Sequence, residues 1–383
     1  MKNRKSIVFI LLLSMLLSSV SPAFALPETN GGISSGNIAG FNDINGHWAK
    51  NSIEKWSGYG VISGYQGLFR PNDSITRGEM AIILDNMMDY QVSANNKFND
   101  LPAGQFYTDP MLKANAVGII LGDGSSLRPL DKITREEASV MLARAFAVKE
   151  SSGGAVFNDT ASIASWAKGY VVSMAEQEYI KGFNNNFLPK TKITRAEIVT
   201  IIDNIVKAYY TKEGTYTENV NGTAVIKVTD VTLKGVSVTG NLIIAEGVGN
   251  GEATLDSVTV KGDTVIRGGG ENSIHITGTS HISNVTIEIV NGKVRVVSDG
   301  VAIQEVDIAE GDEIILDGDF GTVTNNVPGA KLTAAAGSLI NKVVGNAETD
   351  VSGPGTVKEA EVKTGANGSH ITTPNTKITV DSG

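Results

Sequence analysis

Along the first part of the chain, apolar positions recur at helical spacing, and they do so three times in the same order. Ile53, Trp56, Val61 and Ile62 predict an amphipathic helix with one buried face. A second helix in each unit is predicted from Ile83, Leu84 and Met87, from Met141, Leu142 and Ala145, and from Ile198, Ile202 and Ile205. Between the two helices a glycine opens a loop, at Gly64-Tyr65, Gly122-Asp123 and Gly182-Phe183, and Pro71, Pro129 or Pro189 closes it. From Thr211 the helical period gives way to alternation. Ala224-Val225-Ile226-Lys227-Val228 and Val285-Thr286-Ile287-Glu288-Ile289 read as half-buried strands. A weaker pattern, Leu233-x-x-Val236-x-Val238, returns from Leu255, Ile282 and Ile303 at intervals of 21 to 27 residues. Such spacing favours the stacked coils of a parallel β-helix over a sandwich. The expected fold class is multidomain α + β: an all-α, pseudo-threefold unit of three repeats, then an all-β solenoid.

What starts each second helix is the most regular stretch of the chain. Ile75-Thr76-Arg77-Gly78-Glu79 returns as Ile133-Thr134-Arg135-Glu136-Glu137 and as Ile193-Thr194-Arg195-Ala196-Glu197. Thr followed three residues later by Glu is a capping box, which explains both residues. The arginine is unexplained by it, because a cation at the first helical position opposes the helix dipole. A helix start with an added guanidinium is suited to holding a carboxylate or phosphate, the other reading being a structural ion pair. Arg77, Arg135 and Arg195 are therefore candidate anion-binding residues.

Each unit opens on Phe-Asn-Asp, at Phe41, Phe98 and Phe157, and an aromatic then begins the first helix at Trp48, Tyr107 and Trp166. The repeats are assigned to residues 41–90, 98–148 and 157–208, with the β region at 211–383. Lys2, Arg4 and Lys5, followed by an apolar run and Ala23-Phe24-Ala25, predict a signal peptide over 1–25, and 26–40 reads as linker. Losing those three cations takes the formal charge from −9 to −12. So acidic an exported chain is unsuited to nucleic acid, and without cysteine it has neither a disulfide framework nor a lipid-anchoring thiol. Leu26-Pro27-Glu28-Thr29-Asn30 and Gly32-Ile33-Ser34-Ser35-Gly36 match a sorting signal and a hydrolase elbow out of context, and are read as linker.

The triplicate Phe-x-Asp, Trp-Ala and Ile-Thr-Arg-x-Glu elements resemble the S-layer homology family, over residues 41 to about 206. The resemblance implies a trimer of repeats that binds secondary cell-wall polysaccharide, often bearing a pyruvate ketal, and so fixes an exported protein to the wall or surface layer without a covalent bond. It further implies that Arg77, Arg135 and Arg195 contact the ketal carboxylate, that Trp48 and Trp166 face sugar rings, and that Gly64 and Gly182 allow close approach. Asp43, Asp100 and Asp159 would shape the grooves, unless they are helix or turn caps, and the tryptophans would line them, unless they are core. The middle repeat departs from the pattern, with Tyr107 for Trp and with Asp123 and Glu136 adding negative charge, so Arg135 is expected to mark the weakest site.

In the β region no constellation carries catalysis. Asp317 and Asp319 lie in a glycine-rich stretch, Gly268-Gly269-Gly270 lacks the strand-to-helix turn of a phosphate cradle, and His47, His275, His281 and His370 show no metalloprotease spacing, a metal site at His275 and His281, six residues apart on candidate strands, being the minor alternative. The expectation is a non-enzymatic protein with no cofactor, no metal and no membrane contact in its mature form, whose solenoid serves as surface-layer, spacer or adhesion module and is able to self-assemble. The alternative is a wall-anchored enzyme acting on polysaccharide, its site in the solenoid.

Overall fold

The computed structural model describes residues 40–271, 273–290 and 292–381. The signal peptide over 1–25 and all but the last residue of the linker lie outside them. Six helices come first: α1 (Lys50–Gly58), α2 (Arg77–Met88), α3 (Thr108–Ala116), α4 (Arg135–Ala145), α5 (Ser165–Glu176) and α6 (Arg195–Ile205). The capping boxes form as expected. In the first, Thr76 Oγ1 accepts from the Glu79 N–H at 3.1 Å and Glu79 Oε2 accepts from the Thr76 N–H at 2.7 Å, and the other two copies repeat it. All the apolar positions assigned to the helix faces are buried.

The repeats close into a ring. Ile75 donates its N–H to the Ile193 carbonyl at 3.2 Å, Ile133 to Ile75 at 3.1 Å, and Ile193 to Ile133 at 3.2 Å, with all three side chains buried. Around this triangle the second helix of each repeat packs on the first helix of the next: α2 on α3, α4 on α5, and α6 back on α1. No repeat can bury its apolar face alone, and the cyclic order leaves no open end.

Past Ile205 the chain enters the first strand, Val206–Tyr210, without a linker, so the boundary lies about five residues before the expected one. Strand pairing from there on is parallel throughout the described residues, in a solenoid of about nine turns. Ile226, Ile244, Ile266, Ile287 and Ile308 stack in its interior on successive coils. The repeat read from sequence is right in pairs and shifted between them. Leu233 stacks on Leu255 and then on Ile276, whereas Ile282 stacks on Val260 and Val238 on a short third face. Both registers present a β-branched or leucine side chain to the interior, so the sequence pattern alone does not separate them.

The side of the first coils is pressed against the helical ring. Tyr209, Val225, Ile243, Ala245 and Val265 belong to the same buried cluster as the helices. Thr223–Ile226, Leu242–Ile244 and Thr264–Ile266 are accordingly buried on both faces, which corrects the half-buried reading of residues 224–226. At the outward position the coils read Val225, Ile243, Val265, Thr286, Asp307, turning polar past the helices. Polar side chains finish the contact by capping helix C-termini. Lys227 Nζ and Tyr209 Oη reach the Asn86 and Met87 carbonyls of α2, at 2.6 and 2.8 Å. At the end of α4, Arg267 donates to Arg144 O and Ala145 O at 3.0 and 2.5 Å, and just past it Asn241 donates to Ala147 O at 3.0 Å.

Candidate functional site at the inter-repeat junctions

Because α2 and α4 end on the solenoid, their N-termini and the loops around them lie at the opposite end of the ring. There the three arginines point away from their own repeats. Arg77 donates through Nε to Leu127 O (2.8 Å) and through Nη2 to Leu121 O (2.9 Å), in the loop of the second repeat. Arg135 does the same to Phe187 O and Lys181 O at 2.8 and 3.0 Å, and Arg195 returns to Phe69 O and Ser63 O at 2.9 and 2.8 Å. The remaining nitrogen, Nη1, faces the capping-box glutamate of the next repeat: Glu197 at 2.5 Å from Arg135, Glu137 and Glu79 at 3.6 Å from Arg77 and Arg195. Burial lowers the proton affinity of Arg77 and Arg195 below the ordinary arginine value, and the facing glutamates oppose that loss.

The helix starts are occupied as well. The first two N–H groups of α2 donate to Asp131 O and Pro129 O, those of α4 to Thr191 O and Pro189 O, and those of α6 to Asp73 O and Pro71 O, at 2.8 to 3.2 Å. The expectation of a helix start open to an external anion is thereby corrected. The first-turn donors and two of the three guanidinium nitrogens are spent on the neighbour's loop, whose carbonyls offer a fixed partner that costs no further ordering.

The loops are shaped by the other candidates. Asp43 accepts from the Phe69 and Arg70 N–H groups (2.9 and 2.6 Å), Asp100 from Leu127 and Arg128 (3.0 and 2.7 Å), and Asp159 from Phe187 and Leu188 (2.7 and 2.8 Å). The second residue of each pair has positive φ, which the carboxylate's two bonds hold in place. Here the turn-cap reading is the one the geometry gives. Gly64 and Gly182 are required by the loop itself, since a Cβ would stand 2.3 Å from Leu68 O or 2.6 Å from Asn186 O.

The aromatics divide differently. Trp48 and Trp166 are exposed, at 64% and 52%, and Phe183 beside the Lys181 carbonyl is 72% exposed. Tyr107 is core at 5%, packed where Gly78 has no side chain, its Cβ only 2.8 Å from the Cβ that position would carry. Sequence reasoning passed over Phe183 as a loop residue, although a bulky apolar side chain just after a loop glycine has little around it that could bury it. The geometry also shifts the partnership by one repeat. Arg77 shares its junction with Tyr107, Arg135 with Trp166 and Phe183, and Arg195 with Trp48. The aromatic-poor junction is therefore that of Arg77 rather than Arg135. Glu136 does not face outward either: it is buried, paired with Lys190 Nζ, and accepts from the Ala164 N–H at 3.1 Å ahead of α5.

Residues 40–81, 97–139 and 156–199 match the S-layer homology domain. The chain is 36% identical over 170 residues to an exoglucanase, XynX, of Acetivibrio thermocellus, covering 42% of this chain and 16% of that protein. It is 26% identical over 212 residues to the surface-layer 125 kDa protein of Lysinibacillus sphaericus (54% and 17%), and 26% over 206 residues to the S-layer protein sap of Bacillus anthracis (52% and 24%). The chain thus spans a quarter or less of these relatives, and the likeness to the exoglucanase is confined to the helical region. Domains of this kind anchor proteins to the cell wall. The helical part of this chain is a set of three S-layer homology domains, which places the protein outside the cell, at the wall or its surface layer.

Proposed function

We propose that this chain holds itself to the wall by binding an acidic, pyruvylated secondary cell-wall polysaccharide at the junctions of the ring, and displays the solenoid as a non-catalytic spacer or adhesion element. The observation that carries this reading is the exposure of Trp48, Trp166 and Phe183, the three most exposed aromatic side chains among the described residues of the helical part, at two junctions of the ring. Apolar rings left in water beside loops of fixed shape are the usual platform for sugar rings. In this reading Arg77, Arg135 and Arg195 serve the ligand mainly by fixing the loops, with their charge just beneath the groove. The Arg195 and Arg135 junctions bind more strongly than that of Arg77, which has no exposed aromatic.

The test is co-sedimentation of the full chain with purified sacculi, before and after removal of the acidic ketals. Trp48→Ala and Trp166→Ala are each expected to weaken binding several-fold, and ketal removal to abolish most of it. Unchanged binding of a Trp48→Ala/Trp166→Ala double variant would overturn the placement of the site. Unchanged binding to ketal-free wall would overturn the acidic ligand while leaving the anchor.

A further inference from the structure

A groove of about 710 Å³ runs between the second repeat and the side of the solenoid, away from the arginine ring. Its solenoid wall carries Asp263, Glu288, Asp307 and Glu310 on successive coils, and its helical wall carries Arg144 and Tyr170. Two cations inside it are held by acids, Arg267 by Glu288 Oε2 at 2.8 Å, with two helix-end carbonyls besides, and Lys149 by Asp263 at 2.7 Å, while the Arg144 guanidinium lies 5.9 Å from the centre of the Tyr170 ring and leaves the acids of the groove in excess. Asp307 and Glu310 are exposed, and among the described residues neither has an ion-pair partner. Asp307 accepts only from the Asn326 amide, at 2.6 Å. The groove is therefore negative, and its two open carboxylates, Asp307 and Glu310, lie on one rung, beside Thr286 and Glu288 of the rung before it, roughly 4.8 Å away.

A second observation is independent of those acids. Glu246, only 7% exposed, lines the same groove, and its Oε2 has no hydrogen-bond partner. A buried oxygen left without a donor is unfavourable unless something completes it. Among the described residues no group of three or more acidic, histidine or cysteine side chains is arranged to hold a metal ion, so the complement to this acidic wall is sought in an organic cation. Tyr170 adds a half-buried ring and the carboxylates add acceptors for hydroxyl groups, a combination that fits a sugar better than a flexible basic peptide.

We propose that this groove is a second saccharide site, selective for a glycan whose sugars carry free amino groups. The ammonium groups meet Asp307 and Glu310, and the ring lies against Tyr170. Arg267, tied to both sides of the junction, fixes the distance between the walls. The site is separate from the ring junctions and does not depend on the reading given above.

The experiment is calorimetric titration of the full chain at about pH 6, where an amine of ordinary basicity is charged. The probes are a β-linked glucosamine tetramer, its fully N-acetylated counterpart and tetralysine. The glucosamine tetramer is expected to bind, with the acetylated form at least about tenfold weaker because the charge is gone. An Asp307→Asn/Glu310→Gln double variant, altered only at exposed positions, is expected to lose the same factor while its co-sedimentation with sacculi stays unchanged. The proposal is overturned by absence of binding, by equal affinity for the acetylated tetramer, by tetralysine binding as tightly as the amino sugar, or by a double variant that binds like the parent.

Discussion

Both halves of this molecule are repeat arrays, and they differ in how the array ends. In the helical half the third repeat returns to the first, through Arg195 on the Ser63 and Phe69 carbonyls and Ile75 on Ile193. In the solenoid each coil touches its neighbours above and below, and the stack does not return on itself. A closed ring of three loses all its junctions together. A linear stack loses them locally, as a chain of nearest-neighbour terms. The difference says where a mutation should be felt.

The largest effect is expected from opening the ring. Arg195→Ala removes two carbonyl contacts and leaves Glu79 facing a vacated, largely buried space, a loss of about 3–5 kcal/mol. The chain's three tryptophans all lie in the helical half, so their fluorescence in a denaturant titration reads this unfolding alone. A midpoint shift for Arg195→Ala confined to one repeat, with the others melting as before, would break the description of a closed ring. A loss of about 3–4 kcal/mol is expected from Phe320→Ala, which empties the largest fully buried side chain inside the solenoid. Here hydrogen exchange should quicken in the neighbouring coils while the tryptophan transition stays in place. Movement of both transitions together would mean that the solenoid is not the open stack described.

Next comes the seam between the halves. Burial, against the attraction of Arg267, pushes the Glu246 carboxyl up to about 7. A carboxyl whose folded value lies above its unfolded one contributes no penalty below about pH 4.5 and a growing one as pH rises through about 7, up to roughly 3 kcal/mol. Asp85, Asp307 and Glu310, also raised by desolvation, slope the same way. Carboxyls held low by hydrogen bonds and cations, Glu137, Asp203 and Glu361 among them, slope the other way, so the reading is the difference between two proteins: in thermal melts Glu246→Gln should gain on the parent as pH rises from about 4.5 to about 7. Parallel pH profiles for parent and variant would remove Glu246 from this role. The smallest effect on stability is expected for Trp48→Ala, within about 0.5 kcal/mol, because the ring is already in water. A large loss of stability there would mean that Trp48 is a core residue after all, and would remove it from the binding surface.

The seam also decides how such experiments must be built. Cutting between residues 210 and 211 would leave the helical half without Val225, Ile243 and Val265 against its core and without the caps from Lys227, Asn241 and Arg267. Binding is for that reason best measured on the full chain with point substitutions.

The elements were legible in the sequence because their causes are local. Capping boxes, loop glycines and helical periodicity act within a few residues, and three copies of Ile-Thr-Arg-x-Glu made a pseudo-threefold unit legible, though not which helix packs on which. Parallel coils were legible for the same reason, from β-branched residues returning at a steady interval. Assignments that depend on distant partners were settled by the packing of the fold. It turned the arginines inward onto the next repeat's loops, paired Arg77 with Tyr107 and Arg195 with Trp48, and seated Glu136 on Lys190. It also buried both faces of the first coils. A guanidinium at a helix start offers the same donors to a ligand or to a neighbour's carbonyl, and which of them takes those donors is set by what the fold brings within about 3 Å.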